Sequence, residues 1–223
     1  MSDKVLAMDT SLPRGSMALL DGERLAAREW FEGPEGHVVL LARALERGLA
    51  ATGWRPGDLS LLAVTVGPGS FTGARIALGV AKGLALATGA PLVGISTLEL
   101  LLAGIGEGDG LAVALIDARR AEVYAQARRG GQSLVDPGVY DPAWLAGELA
   151  RLADGPVRLT GNGLLPYGEG FRQALGERFL PLPPEAWQPD PVVLGIMARQ
   201  RRHDADPWLE PLYLRRSDAR EPA

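Results

Sequence analysis

The chain has 223 residues, 47% of them hydrophobic, and a formal charge of −4 from 23 Lys plus Arg against 27 Asp plus Glu. That length supplies one large or two small domains with a sizeable core, and the absence of cysteine excludes disulfides and thiolate chemistry. The basic residues are nearly all arginine and are scattered, which argues against an extended nucleic-acid surface of the chain's own.

Ser2-Asp3-Lys4 leads straight into a strand with no signal-peptide pattern, so a soluble cytoplasmic protein is expected. Residues 5–9 read as that strand, 16–20 as its hairpin partner and 25–31 as a third, divided by turns at Pro13-Arg14-Gly15 and Asp21-Gly22. Gly33-Pro34 breaks the pattern, and a helix is expected over 35–51 with Val38, Leu41, Ala42, Leu45 and Leu49 on one face. A strand over 58–66 runs through a glycine-rich turn into a helix over 72–88. A strand over 91–95 and a short helix over 97–103 follow. Three antiparallel strands and then alternating helix and strand predict a mixed α/β sheet with helical cover.

The turn, Gly67-Pro68-Gly69-Ser70-Phe71-Thr72-Gly73, has the strand-to-helix geometry that holds phosphate on free backbone N–H groups. Gly67 and Gly69 allow positive φ or a close approach, Pro68 removes one donor, and Ser70 or Thr72 can cap the helix. Strict motifs fail. Gly73 is followed by Ala74-Arg75 where a Walker loop needs Lys-Ser/Thr, the first lysine downstream is Lys82, and Thr72 stands at the sixth position of a dinucleotide fingerprint. Gly67, Gly69 and Ser70 therefore stand as weak candidates, against a tight turn that holds nothing.

The helix it launches carries Ala74, Ile76, Ala77, Leu78, Val80, Ala81, Leu84, Ala85, Leu86 and Ala87, with Arg75 and Lys82 as its only charges. Apolar residues on every face demand cover on nearly every face, and Lys82 interrupts the run before it can span a membrane. Gly79 and Gly83 each cost about 1 kcal/mol of helix propensity and form a stripe that admits another backbone. A partner face is expected from Val38, Leu41 and Leu45 on one helix and Ile76, Gly79, Val80, Gly83 and Leu84 on the other. The opposing expectation is that both helices are covered within the chain.

After a glycine-rich joint at 104–110 the pattern restarts. Val5-Leu6-Ala7-Met8-Asp9-Thr10 and Val113-Ala114-Leu115-Ile116-Asp117-Ala118 both run four apolar residues, Asp, then a small one. A second strand over 123–127, a helix over 142–152, a strand over 157–160, a Gly161-Asn162-Gly163 turn and a helix near 167–175 follow. Residues 181–191 are proline-rich and irregular, a last helix is expected over 191–202, and 208–214 adds a strand or packs against the first half. Two related units result, 1–103 and 104–223.

Residues 5–11 (ending Asp9-Thr10-Ser11), 64–76, Lys82-Gly83-Leu84-Ala85, 91–99, Asp117-Ala118-Arg119-Arg120-Ala121-Glu122-Val123-Tyr124 and Pro211-Leu212-Tyr213-Leu214-Arg215 together resemble the TsaB (YeaZ) family. That family is the non-catalytic partner of the TsaD subunit in bacterial tRNA threonylcarbamoyladenosine (t6A) synthesis. The resemblance implies an actin-like α/β fold of two ribonuclease-H-like lobes. The first lobe binds the partner, and the last segment is able to pack back on it. Implied partners are a TsaD-like catalytic subunit, a TsaE-like ATPase in the larger complex and a second copy of the chain, with tRNA met only indirectly and no membrane. The subunit requires no cofactor, and a nucleotide is possible at a shared interface.

In active ATPases of that fold a strand-end aspartate and adjacent hydroxyls hold metal and phosphate. Asp9, Thr10 and Ser11 occupy the first such place and Asp117 the second, either in that role or as caps of neighbouring turns. The catalytic relative's metal-binding histidine pair corresponds to Thr97 and Leu101 here, and the two histidines present, His37 and His203, make a poor metal site. An active Mg-ATP-dependent phosphotransferase is the alternative function. A peptidase comes last, because Gly94-Ile95-Ser96-Thr97-Leu98 puts Leu98 where a nucleophile elbow needs glycine.

Overall fold

The computed structural model describes residues 3–106 and 108–215. The first three strands, β1 (Lys4–Asp9), β2 (Gly15–Asp21) and β3 (Arg24–Phe31), form an antiparallel meander, in which the continuous apolar runs of β1 and β2 are buried on both faces. Helix α1 (Gly36–Thr52) then crosses to β4 (Leu61–Thr65), and α2 (Phe71–Thr88) to β5 (Leu92–Ile95), both strands joining in parallel. The resulting sheet has the order β3-β2-β1-β4-β5.

A short helix, α3 (Thr97–Ile105), leads to the second sheet. There β6 (Leu111–Arg119), β7 (Glu122–Arg129) and β8 (Gln132–Tyr140) form a second meander. Helix α4 (Pro142–Leu152) precedes β9 (Val157–Thr160), and α5 (Leu164–Leu175) precedes β10 (Phe179–Pro181), again parallel additions. Taken from the β8 edge, the order β8-β7-β6-β9-β10 repeats the first sheet strand for strand.

Alternation along each strand divides the core. Leu6, Met8, Met17 and Leu19 face α1 and α2, whereas Val5, Ala7 and Leu20 face the last helix, α6 (Pro191–Gln200). That helix follows the second sheet in sequence but packs across β1, β2 and β4 of the first. Gly195 permits this, since a β-carbon there would lie 2.1 Å from Leu20 Cδ1. Arg199 and Arg202 both reach Asp3, at 2.6 and 3.0 Å, and Arg201 reaches Glu99 at 2.5 Å. The second sheet has its own core with α4 and α5, and Leu12, Leu98, Leu101, Ala114 and Ile116 form an apolar seam around α3 between the two lobes.

The structure departs from the sequence expectation in three places and decides one open choice. The strand expected from 58 starts at Leu61, because residues 56–58 form a 3-10 turn closed by Arg55 N–H to Asp58 Oδ2 at 2.9 Å. No element is expected from the sequence between 128 and 139, where β8 forms as an edge strand bonded only to β7, a position that tolerates Pro137. Strand β10 emerges from the tract around Pro181, at the opposite edge. Residues 208–214 add no strand. They return across the first lobe with Asp206 N–H on Leu92 O (2.9 Å), Leu209 packed on the core and Leu212 N–H on Val66 O (2.7 Å). Of the expected segments, Ser2, position 107 of the joint and 216–223 of the second unit lie outside the described residues. Among the described residues, no helix is long and apolar enough to cross a membrane.

Candidate functional site

The glycine-rich turn is filled by the chain's own backbone. A β-carbon on Gly73 would lie 2.0 Å from Thr10 O, and one on Gly69 2.3 Å from Ser11 O. Ser70 N–H donates to Ser11 O at 2.7 Å, while Ser70 Oγ accepts Gly73 N–H at 3.1 Å and caps α2. Thr10 Oγ1 donates to Gly73 O at 2.6 Å and accepts Ala77 N–H at 3.1 Å. The glycines here admit the end of β1.

Asp9 is fully buried. Its Oδ1 accepts from Ser11 N–H (3.0 Å), the Ser11 hydroxyl (2.6 Å) and the Thr65 hydroxyl (2.5 Å), and its Oδ2 is enclosed without a partner. Burial pushes the Asp9 carboxyl above its ordinary value, against the lowering pull of the Ser11 and Thr65 hydroxyls. Asp117 repeats the turn: its Oδ1 accepts Arg119 N–H at 2.9 Å, and its own N–H donates to Asn162 Oδ1 at 3.1 Å. Both aspartates cap turns two residues on. Asp9 and Thr10 are fully buried and line neither cavity of the interlobe junction, so they do not fit a metal–phosphate group approaching from the cleft.

Two cavities meet above this junction. One, of about 600 Å³, lies between the glycine-rich turn and the returning chain and is bordered by Gly67, Phe71, Arg75, Tyr124, Tyr213 and Arg215. The other, of about 520 Å³, is the cleft between the lobes, bordered by Ser11, His37, Asp117, Arg119, Arg120 and Asn162. Gly69 and Ser70 border both, so Ser11, Gly67, Gly69 and Ser70 do line open space. His37 bonds the Pro13 carbonyl at 2.8 Å and sits edge-on to Phe31.

The β6–β7 hairpin on the cleft rim holds three consecutive non-glycine residues in the left-handed region, Arg119 (φ 62°), Arg120 (φ 55°) and Ala121 (φ 58°). Such residues cost about 1–2 kcal/mol each. The turn places Arg119 and Arg120 at the edge of the cleft. Sequence reasoning missed the cluster of Arg75, Phe71 and Tyr213, in which the Arg75 guanidinium lies 3.6 Å from the Phe71 ring centroid and its Nε donates to the Tyr213 hydroxyl at 2.9 Å. Phe71 and Arg75 stand inside the motif that carried the family resemblance, which was the available signal.

The outer face of α2 is uncovered in the single chain. Leu86 is 90% exposed, Phe71 58%, and a β-carbon on Gly79 or Gly83 would meet nothing within 4 Å. The opposing expectation, that both helices are wholly covered within the chain, does not hold for this face. Ile76, Val80 and Leu84 are half-buried, resting on the core along one side, as is Leu45 of the neighbouring α1. Val38 is 58% exposed. Leu41 needs correction as a partner-face residue: it is wholly buried in the first-lobe core and offers a partner no surface.

Ser96 Oγ is buried without a hydrogen-bond partner, so no base activates it. His37 is committed to Pro13, and His203 pairs with Asp204 at 3.2 Å. Thr97 and Leu101 are buried, and among the described residues no group of three or more His, Cys, Asp or Glu side chains is placed to hold a metal ion.

Two lobes of one repeated build, with aspartates capping the matching strand ends, define the actin-like class of α/β proteins. A ROK hexokinase from Thermus thermophilus shares that fold at a TM-score of 0.53 and 15% identity, over 91% of this chain and 100% of that one. YeaZ from Pseudomonas aeruginosa superposes at a TM-score of 0.75 with 26% identity, covering 95% of this chain and 100% of that structure. The sequence model of the family described as TsaD: tRNA N6-adenosine threonylcarbamoyltransferase matches residues 33–148. The tRNA threonylcarbamoyladenosine biosynthesis protein TsaB of Bacillus subtilis (strain 168) is 31% identical over 220 residues, 96% of this chain and 95% of the relative. The chain belongs to the TsaB family.

Proposed function

We propose that this chain is the non-catalytic subunit of t6A synthesis, working in the cytoplasm by docking a TsaD-like transferase on the outer face of α1 and α2. The observation that carries the reading is the uncovered stripe of Phe71, Gly79, Gly83 and Leu86 beside exposed Val38. Glycines four apart let a second helix approach closely, and burying each leucine- or valine-sized side chain is worth about 1.5–3 kcal/mol. A second copy of the chain meets the same face, so homodimer and heterodimer exclude one another. The relative named a tRNA threonylcarbamoyladenosine biosynthesis protein supports the pathway. Thr97 and Leu101, standing where the resemblance implies a metal-binding histidine pair, support the non-catalytic part.

On this reading the subunit needs no cofactor of its own, and any nucleotide sits at the shared interface. A TsaE-like ATPase joins the assembled pair, and tRNA is met by the partner. The test is reconstituted threonylcarbamoyl transfer to tRNA, with and without this chain and with its Val80→Asp and Leu84→Asp variants after a folding check. Transfer is expected to depend on the chain and to fall with both variants as partner binding is lost. Transfer that proceeds equally without the chain overturns the reading. Micromolar affinity of the isolated chain for Mg-ATP, measured by calorimetry, would favour a phosphotransferase instead.

A further inference from the structure

We propose that the returning segment, residues 209–215, is a releasable strap that couples the two lobes across the mouth of the cleft. Its first part is fastened to the first lobe. Leu209 fills space that Gly94 leaves open, since a β-carbon on Gly94 would lie 3.0 Å from Leu209 Cδ1. Leu212 N–H donates to Val66 O at 2.7 Å, and the Tyr213 hydroxyl accepts from Arg75, with the Tyr213 ring 5.5 Å from that of Phe71. Leu214 enters the seam between the lobes with Leu12, Leu98 and Ile116.

Arg215 then crosses to the second lobe, pairing with Glu122 of β7, its guanidinium 6.0 Å from the Tyr124 ring. The two attachments are unequal. A backbone bond, an aromatic pair and the packing of Leu209 hold the first-lobe end, whereas the other is held by Leu214 in the seam and by the half-exposed Arg215–Glu122 ion pair beside Tyr124. Ion pairs of that kind are weak and are screened by salt, so the Arg215 end opens first and the rest of the strap, Leu212 included, follows as one unit.

Release has two consequences. Arg215 borders both cavities, so its withdrawal joins the space under the strap to the cleft. It also leaves the lobes linked by the α3 seam, by the return of α6 to the first sheet and by a joint whose Gly106, Gly108 and Gly110 all adopt positive φ. A closed strap holds the lobes at one separation, and an open one lets the cleft widen.

The test uses the full chain and needs neither a partner nor tRNA, so its failure leaves the docking proposal standing. Glu122→Lys, Arg215→Glu and the double exchange are compared by amide hydrogen exchange at Leu212, which is bonded to the first lobe. Breaking the pair at Glu122, in the second lobe, is expected to speed exchange at Leu212 by about fivefold, the population change of a contact worth about 1 kcal/mol. The double exchange restores the native rate, and added salt accelerates the native chain but not the single variants. Unchanged exchange at Leu212 in Glu122→Lys, or no recovery in the double variant, overturns the strap. Exchange in β1 and β4 checks folding, and the milder Glu122→Gln gives the same readout without charge reversal. Spin labels at Arg24→Cys and Glu177→Cys, in a chain with no other cysteine, read the interlobe distance. It broadens when the pair is broken, and an unbroadened distribution overturns the coupling.

Discussion

A β-carbon on Gly69 would lie 2.3 Å from the carbonyl oxygen of Ser11, the same oxygen that accepts Ser70 N–H. Glycine at 69 thus reports a contact within the chain, between the end of β1 and the turn before α2. The end of β1 takes one side of a turn shaped like a phosphate cradle, while the other side borders open cavity.

Gly69→Ala and Gly73→Ala must move the backbone of Ser11 or Thr10, and Gly69 has φ +156° besides. Each is expected to destabilise the chain by about 2 kcal/mol or more, read from the denaturant midpoint. Gly79→Ala meets open space and should stabilise the single chain by about 0.5–1 kcal/mol. If α2 is docked through that stripe, the same change weakens partner binding, a split between stability and assembly that no change in folding produces.

Asp9 governs pH dependence in one direction. Its folded value is raised by burial above 3.8. Its contribution is favourable below the unfolded value and is lost as pH rises through the folded one. Unfolding midpoints measured from about pH 4 to pH 9 should show native stability falling relative to Asp9→Asn, which has no charge to bury. Asp9→Ala strips the acceptor from Ser11 and Thr65 and should cost about 1–3 kcal/mol. A flat difference between native and Asp9→Asn across that range refutes the assignment.

Glu99 has the opposite sign. The hydrogen bond from Arg201 holds its carboxyl below 4.5, against desolvation, with Arg128 adding to the pull. Its stabilisation is present above the unfolded value and disappears as pH falls through the folded one. Glu99→Gln should cost about 1 kcal/mol near neutrality and nothing in acid, measured by chemical unfolding at each pH. Loosening of α6 should accompany it, since Arg201 lies just past the end of that helix.

Leu86→Asp alters a side chain that touches little of its own fold, and its unfolding free energy should stay within about 0.5 kcal/mol of native. Sedimentation should show loss of self-association or of transferase binding. Unaltered assembly would remove α2 from the partner face.

Much of the fold was legible because it follows from short periods. The short apolar runs in 5–9 and 113–118 marked both central strands, and the repeated strand-end aspartate marked the duplication that the matching sheet orders display. Strand β8 was hidden because Pro137-Gly138 is a local break, whereas edge position, a property of the sheet, makes proline acceptable. On α2 the stripe of Gly79, Gly83 and Leu86 was readable from helical spacing. That Leu41 lies inside the core was not, since a helix pattern gives a face but not how deep each residue of it sits.

The sequence by itself determined two related α/β halves, an apolar α2 and the glycine-rich turn before it, all set by interactions within a few residues. Only the tertiary structure decided what packs against the turn and where the segment after α6 returns. Gly73 and Thr10 are 63 residues apart, and Arg75 and Tyr213 are 138 apart. No local preference specifies such meetings. They arise because β1 must lie beside β4 to bury its apolar faces, which brings Thr10 and Ser11 onto the turn, and because α6 returns to the first sheet and carries Tyr213 back to Arg75.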